Sequence, residues 1–168
     1  MGRKGIDSYD NFPSYITNHP NYPLFQQMRI NEIRSDSTRK EIVEYLAPKI
    51  GMKFIDLGCC LNLMFGGYKD WPSTYYGVDI RSKTIEFLHE YTKKNHITVG
   101  DLHCCSMHET PYDINFFDRG EYVGSLEYFE KDFVGQTVVE FSRIMKPNGR
   151  VVLNILNIGS PEFELQSQ

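Results

Sequence analysis

The chain has 168 residues, which suits one domain built around a single core. Apolar residues make up 40% and charged residues 24%, and the formal charge of −4 argues against broad contact with nucleic-acid phosphates, which requires clustered Lys and Arg. No apolar run is long enough to cross a bilayer, and no apolar stretch follows Arg3 and Lys4, so neither a membrane span nor a secretory signal is predicted and a cytoplasmic location is expected.

Residues 1–34 read as an irregular arm. Pro13, Pro20 and Pro23 interrupt regular structure, and Tyr9, Phe12, Tyr15, Tyr22 and Phe25 give the arm enough aromatic surface to pack on the body. A helix is predicted from Ser35 to Ile50, with Ile42, Val43, Leu46 and Ile50 on one face and Gly51 ending it. Lys53 to Leu57 is a short apolar strand, followed by a turn over Gly58 to Asn62. A short helix is expected within 61–70. Thr74 to Ile80 is a second strand, Ser82 to Lys94 a helix with Ile85, Leu88 and His89 inward, and His96 to Val99 a third strand.

A loop covers 102–118. Arg119 to Gly124 is a fourth strand, and Lys131 to Met145 a helix with Phe133, Val134, Val138, Phe141 and Met145 inward. A Pro147-Asn148-Gly149 turn leads into a fifth strand from Arg150 to Leu156. Strand and helix alternate throughout. The expected fold is therefore α/β: a doubly wound, largely parallel sheet with helices on both faces, forming one domain of arm (1–34), core (35–156) and short tail (157–168).

The four Cys occur as two adjacent pairs, Cys59-Cys60 and Cys104-Cys105. Neighbouring Cys rarely bridge each other, so reduced thiols are expected. His103, Cys104, Cys105 and His108 lie too close together in sequence to surround one ion, and no metal site is predicted.

Ligands of a doubly wound sheet sit beyond the carboxyl ends of its strands. The first strand ends in Asp56-Leu57-Gly58, where the glycine permits a sharp turn and close approach to a ligand. Asp79 ends the second strand, where a carboxylate can accept hydrogen bonds from both hydroxyls of a ribose. The same residues also fit a plain tight turn with Asp79 capping the next helix. An acid at this place suits a nicotinamide cofactor as well as a methyl donor, and the first turn separates the two. It reads Gly58-Cys59-Cys60-Leu61-Asn62-Leu63, without the second and third glycines of a dinucleotide fingerprint. Asp56 is unfavourable beside a pyrophosphate and favourable beside a cationic nucleoside such as S-adenosylmethionine.

The segments FIDLGCCLN, GVDI, VGD (Val99 to Asp101), FFDRGEYVGSLEYF and RIMKPNGRVVL follow in order. Together they resemble the class I, Rossmann-like, S-adenosylmethionine-dependent methyltransferases, closest to the group called type 11. The resemblance spans about Lys53 to Leu156. It implies that Asp56, Gly58, Cys60 and Asn62 face the methionine part of the donor, that Asp79 holds its ribose with Ile80 also at the donor, and that Asp101 and Leu102 hold the adenine. Gly124 and Ser125 would lie beside the sulfonium and the acceptor. Glu127 and Tyr128 are candidate catalytic residues, and Tyr15 and His19 candidate acceptor contacts on the arm. Cys60 and Asn62 stand where that family's first motif has glycines.

No Asn or Asp followed by Pro-Pro-aromatic occurs after the fourth strand, so the expected acceptor is a small molecule rather than a nucleic acid. The expected activity is methyl transfer from S-adenosylmethionine. The alternative is a methyltransferase-like module that binds without catalysis. Only Asn157 to Gln168 follow the fifth strand, so the sheet is expected to be shortened there, with an edge that a homodimer would cover.

Overall fold

The computed structural model describes residues 37–65, 67–123, 129 and 131–154, together with the isolated arm residues 18, 20 and 23; the rest of the arm, and the tail 157–168, lie outside the described residues. The first described helix, α1 (Ser37–Leu46), buries Ile42 and Leu46. It stops four residues before the expected end. Pro48 has no N–H to continue the ladder, and Ala47 turns away at φ 45°, which leaves Ile50 90% exposed rather than on the inner face.

The strand β1 (Lys53–Leu57) leads into a one-turn helix α2 (Asn62–Phe65) and a 3-10 turn at Tyr68–Asp70. Then come β2 (Thr74–Asp79) and α3 (Ser82–Lys94), which buries Ile85, Leu88 and Thr92 while His89 faces solvent. The remaining elements are β3 (Asp101–Cys104), β4 (Phe117–Tyr122), α4 (Lys131–Ile144) and β5 (Met145–Leu153).

The five strands lie in the order β3-β2-β1-β4-β5, and every neighbouring pair is parallel. The fold is α/β, with two cores. On one face Ile42, Leu46, Ile85 and Leu88 from α1 and α3 pack on Phe54, Tyr75 and Leu102. On the other Phe141 and Ile144 from α4 pack on Ile55, Leu57, Val78, Phe117 and Tyr122. Each fully buried side chain of this size contributes about 1.5–3 kcal/mol. Gly120 is what lets α4 sit close: a Cβ there would lie 2.5 Å from the ring of Phe141.

Strand boundaries also differ from expectation. The third strand is Asp101–Cys104, not 96–99. His96 ends the preceding helix at φ 54°, and the Ile97 N–H returns to Thr92 O at 2.9 Å, so 96–99 wraps the helix end. The ladder to β2 begins only at Gly100, whose N–H reaches Tyr75 O at 2.7 Å and whose missing Cβ makes room for the ring of Tyr76. The fourth strand starts two residues early, at Phe117. The Pro-Asn-Gly turn does not precede β5 but lies inside it as an irregularity between the pairs Phe117↔Met145 and Arg119↔Arg150, with Asn148 at φ 65°. Of the inward residues expected on α4, Phe141 and the following Met145 are buried, and Phe133 and Val134 pack half-buried against the core. Thr137, Glu140, Phe141 and Ile144 face inward, whereas Val138 is 40% exposed.

Candidate functional site

Strand order reverses between β1 and β4, because β1 lies between β2 and β4, and the crevice of such a sheet opens at the carboxyl ends there. The turn leaving β1 is built on backbone. Gly58 takes φ 74°, and its N–H and that of Cys59 both donate to Val78 O, at 2.8 and 2.9 Å. Cys60 takes φ 40° and donates its N–H to Asp79 Oδ2 at 3.0 Å. The Asn62 N–H closes the turn on Cys59 O at 2.9 Å. Three of the expected site residues, Gly58, Cys60 and Asn62, thereby share one turn, and Cys60 bonds Asp79 directly.

Asp79 is buried, and its second oxygen, Oδ1, accepts from the Arg81 backbone N–H at 2.9 Å and from Arg81 Nε at 3.3 Å. The Arg81 guanidinium also donates to Cys60 Sγ at 3.0 Å. Burial alone would lower its pKa, but Asp79 outweighs that and raises it. Asp79 thus joins the β1 turn to the entrance of α3, so the helix-entry role and a place at the crevice coexist in one carboxylate. Ile80, 37% exposed, stands beside it as an apolar flank.

Deeper in, Asp56 is fully buried. Its Oδ2 accepts from the Tyr75 hydroxyl at 2.8 Å and from Asn62 Nδ2 at 3.2 Å. Burial pushes the Tyr75 hydroxyl well above its ordinary pKa, and the Asp56 charge adds to that. On β4 the register partner of Asp56 is Glu121, also fully buried, which accepts from the Tyr68 hydroxyl. The rings of Phe54, Tyr68, Trp71 and Tyr75 close over this floor, with Phe54 and Trp71 centroids 4.8 Å apart. Cys59 is buried beside it, its thiol pushed well up by burial and then by Asp56 and Asp79.

Asp101 and Leu102 do not join this cluster. They open β3 instead of closing it, and Asp101 pairs with Tyr76, three residues before Asp79. Asp101 bonds the Leu102 N–H at 2.8 Å and His103 Nε2 at 2.8 Å, while Leu102 is buried in the core. The residue level with Asp79 is Cys104, exposed, with Sγ 3.6 Å from Ile80 O. Cys105 follows, half-buried, its thiol pushed up to about 11 by burial, with Cys104 and Glu140 adding to it. Gly124, Ser125, Glu127, Tyr128, Tyr15 and His19 lie outside the described residues. Among the described residues no group of three or more His, Cys, Asp or Glu is placed to hold a metal ion, and no helix is long and apolar enough to cross a membrane.

Sequence reasoning missed Glu121, Tyr75, Tyr68 and Arg81. A single acid within the otherwise strand-like RGEYVG was the one available signal for Glu121. Two open cavities lie elsewhere. One of about 660 Å³ is lined by His108, Lys131, Asp132, Gln136 and Glu140. The other, of about 440 Å³, runs between α4 and β5 along Val138, Phe141, Met145 and Leu153.

Residues 55–153 match the family model described as "Methyltransferase domain". No curated protein sequence matches the chain. Among solved structures the chain is similar to the YcgJ protein from Bacillus subtilis, at 16% identity and a TM-score of 0.61 over 68% of this chain and 48% of that one. It is similar to geranyl diphosphate C-methyltransferase from Streptomyces coelicolor A3(2), solved with Mg2+, geranyl-S-thiolodiphosphate and S-adenosyl-L-homocysteine, at 21% identity and a TM-score of 0.60 over 70% and 42%. It is also similar to the PH0226 protein from Pyrococcus horikoshii OT3, at 23% identity and a TM-score of 0.60 over 72% and 59%. The chain thus spans less than two thirds of the length of each. At these identities the likeness establishes the fold, and the family match over most of the sheet adds the lineage: the chain belongs to the methyltransferase domain family.

Proposed function

We propose that the protein binds S-adenosylmethionine at the carboxyl ends of β1 and β2 and transfers its methyl group to a small-molecule acceptor. The observation that carries this is the pairing of two buried carboxylates, Asp56 and Asp79, on neighbouring parallel strand ends around the Gly58 turn. A carboxylate floor suits a ligand bearing a sulfonium and an ammonium and disfavours a pyrophosphate, so the donor set fits this cofactor better than a dinucleotide.

When bound, the cofactor supplies a methyl carbon already activated for displacement. The chain's task is to hold it in line with the acceptor, and such alignment contributes on the order of 7–11 kcal/mol. Asp79 holds the ribose hydroxyls, and the half-exposed Arg81 guanidinium moves aside from Oδ1 to admit them. Ile80 flanks the adenine. Cys104, level with Asp79, and Cys105 after it replace Asp101 at the adenine edge. Gly124 and Ser125 follow β4 toward the acceptor, with Glu127, Tyr128, Tyr15 and His19 as acceptor-side candidates. A small-molecule acceptor is supported by the fold's likeness to an enzyme solved with a geranyl diphosphate analogue. Pairing of the outer edge of β5 with a second copy is part of the same proposal, and a monomer in sedimentation at high concentration rejects it.

Calorimetric titration with S-adenosylmethionine, S-adenosylhomocysteine and NAD tests the reading. Binding of the first two without NAD is expected, and binding of NAD alone overturns it. A second reading, a methyltransferase-like module that acts without turnover and holds the donor weakly or not at all, is favoured by one observation: Asp79 is already engaged by Cys60 and Arg81. Donor consumption in a metabolite screen decides between them.

A further inference from the structure

Glu121 is the least expected group near the strand ends. It is fully buried at a strand position that an apolar side chain would fill at lower desolvation cost. Its Cα stands opposite that of Asp56 in the β1–β4 register, and neighbouring strands lie about 4.8 Å apart. Both side chains point to the same face. Tyr75 holds Asp56, Tyr68 holds Glu121, and the two Tyr rings lie 6.0 Å apart at 30°. Burial and then Asp56 raise the Tyr75 hydroxyl pKa, with Glu121 the smallest contributor.

The methyl donor and its demethylated product differ by one methyl group and one positive charge. Shape tells them apart poorly, because a single methyl is worth only about 1–3 kcal/mol. Charge tells them apart well where water does not screen it. Asp56 supplies one negative charge beneath the β1 turn, and Asn62, at the top of that turn, hydrogen-bonds it directly.

We propose that Glu121 is a specificity-determining residue that makes the donor site charge-selective, acting with Asp56 to favour the cationic methyl donor over its neutral product. This rests on the proposed donor site. Glu121 acts through its field and not by contact, so it is a positioning group rather than a catalytic one. The benefit is turnover: loss of the sulfonium charge weakens the hold on the product at the moment it forms.

The test is the ratio of dissociation constants for S-adenosylmethionine and S-adenosylhomocysteine, by calorimetry, in wild type and in Glu121→Gln. A merely structural role would weaken both ligands alike and leave the ratio unchanged. The proposal expects the wild-type preference for the donor to fall about tenfold, with product affinity held within about twofold. An unchanged ratio overturns it. If the Gln variant does not fold, Tyr68→Phe combined with Glu121→Leu removes donor and acceptor together, leaving neither unpaired, and is held to the same criterion. A wild type that binds neither ligand overturns the proposed function itself. A wild type that binds both with an unmoved ratio in the variant overturns only the role of Glu121.

Discussion

Cys60 donates its backbone N–H to Oδ2 of Asp79 across 3.0 Å, so the turn after β1 and the end of β2 are one unit. Replacing the carboxylate should loosen both. Asp79→Asn keeps the size but offers one acceptor oxygen where two are used, by Cys60 and by Arg81. The expected result is donor affinity lower by about 10–100-fold, the equivalent of one or two hydrogen bonds to a charged group. Calorimetry on the folded variant measures it.

The Cys60 backbone sits at φ 40°, a conformation that glycine adopts freely and other residues do not. Cys60→Gly removes that strain and also the thiol contact to Arg81, freeing the guanidinium to leave Asp79. Greater freedom in the unfolded chain offsets the relief, so stability should stay within about 1 kcal/mol of wild type. Donor affinity should rise. Weaker binding would show that the thiol contributes to the site.

Tyr75→Phe removes the hydroxyl that donates to the fully buried Asp56 Oδ2 at 2.8 Å. Losing a donor to a buried carboxylate costs about 1–3 kcal/mol. Urea denaturation should show that loss. An unchanged midpoint would mean that Asn62 and the rest of the site satisfy Asp56 without it.

Glu140 on α4 clamps the loop after β3. It accepts from the Thr110 N–H at 2.8 Å, from Thr110 Oγ1 at 2.6 Å and from Arg143 Nε at 2.7 Å. Burial pushes its carboxyl up, but Arg143 and Thr110 outweigh this and hold the pKa below the ordinary 4.5. A carboxyl lowered on folding stabilises fully above the unfolded value, and that stability is lost as pH falls through the folded one. Wild-type stability should therefore decline below about pH 4.5, and Glu140→Gln should be weaker at neutral pH and decline less over the same acid range. Denaturation curves at pH 7 and in acid measure both.

Asp101 opens β3 and is occupied by Leu102 and His103. Asp101→Asn should leave donor affinity within about twofold, as for a substitution away from the site. Bound donor should protect Cys104 from alkylation by iodoacetamide. Loss of affinity in the Asp101 variant, with Cys104 unprotected, would return the adenine edge to Asp101.

Local pattern made most of the elements legible. The alternation of short apolar runs with 3.6-residue periodicity set the α/β class, and the Asp56-Leu57-Gly58 and Asp79 strand ends stood out because ligands of such a sheet sit beyond the carboxyl ends of its strands. Boundaries failed where local preference and long-range pairing disagree. The segment 96–99 has the branched residues of a strand, yet the ladder to β2 is satisfied five residues later, and that decides which residue reaches the carboxyl end.

The sequence by itself determined the order of elements, the family and the carboxylates at the ends of β1 and β2, since these follow from side-chain period and from residues whose chemistry is readable in isolation. Tertiary structure alone decided that Glu121 stands beside Asp56, that the Cys60 N–H meets Asp79 and that Cys104 replaces Asp101 at the β3 end. Each of these is a contact between strands or across a turn. Such contacts depend on hydrogen-bond register and close packing between segments distant in sequence, and no local window of residues contains that information.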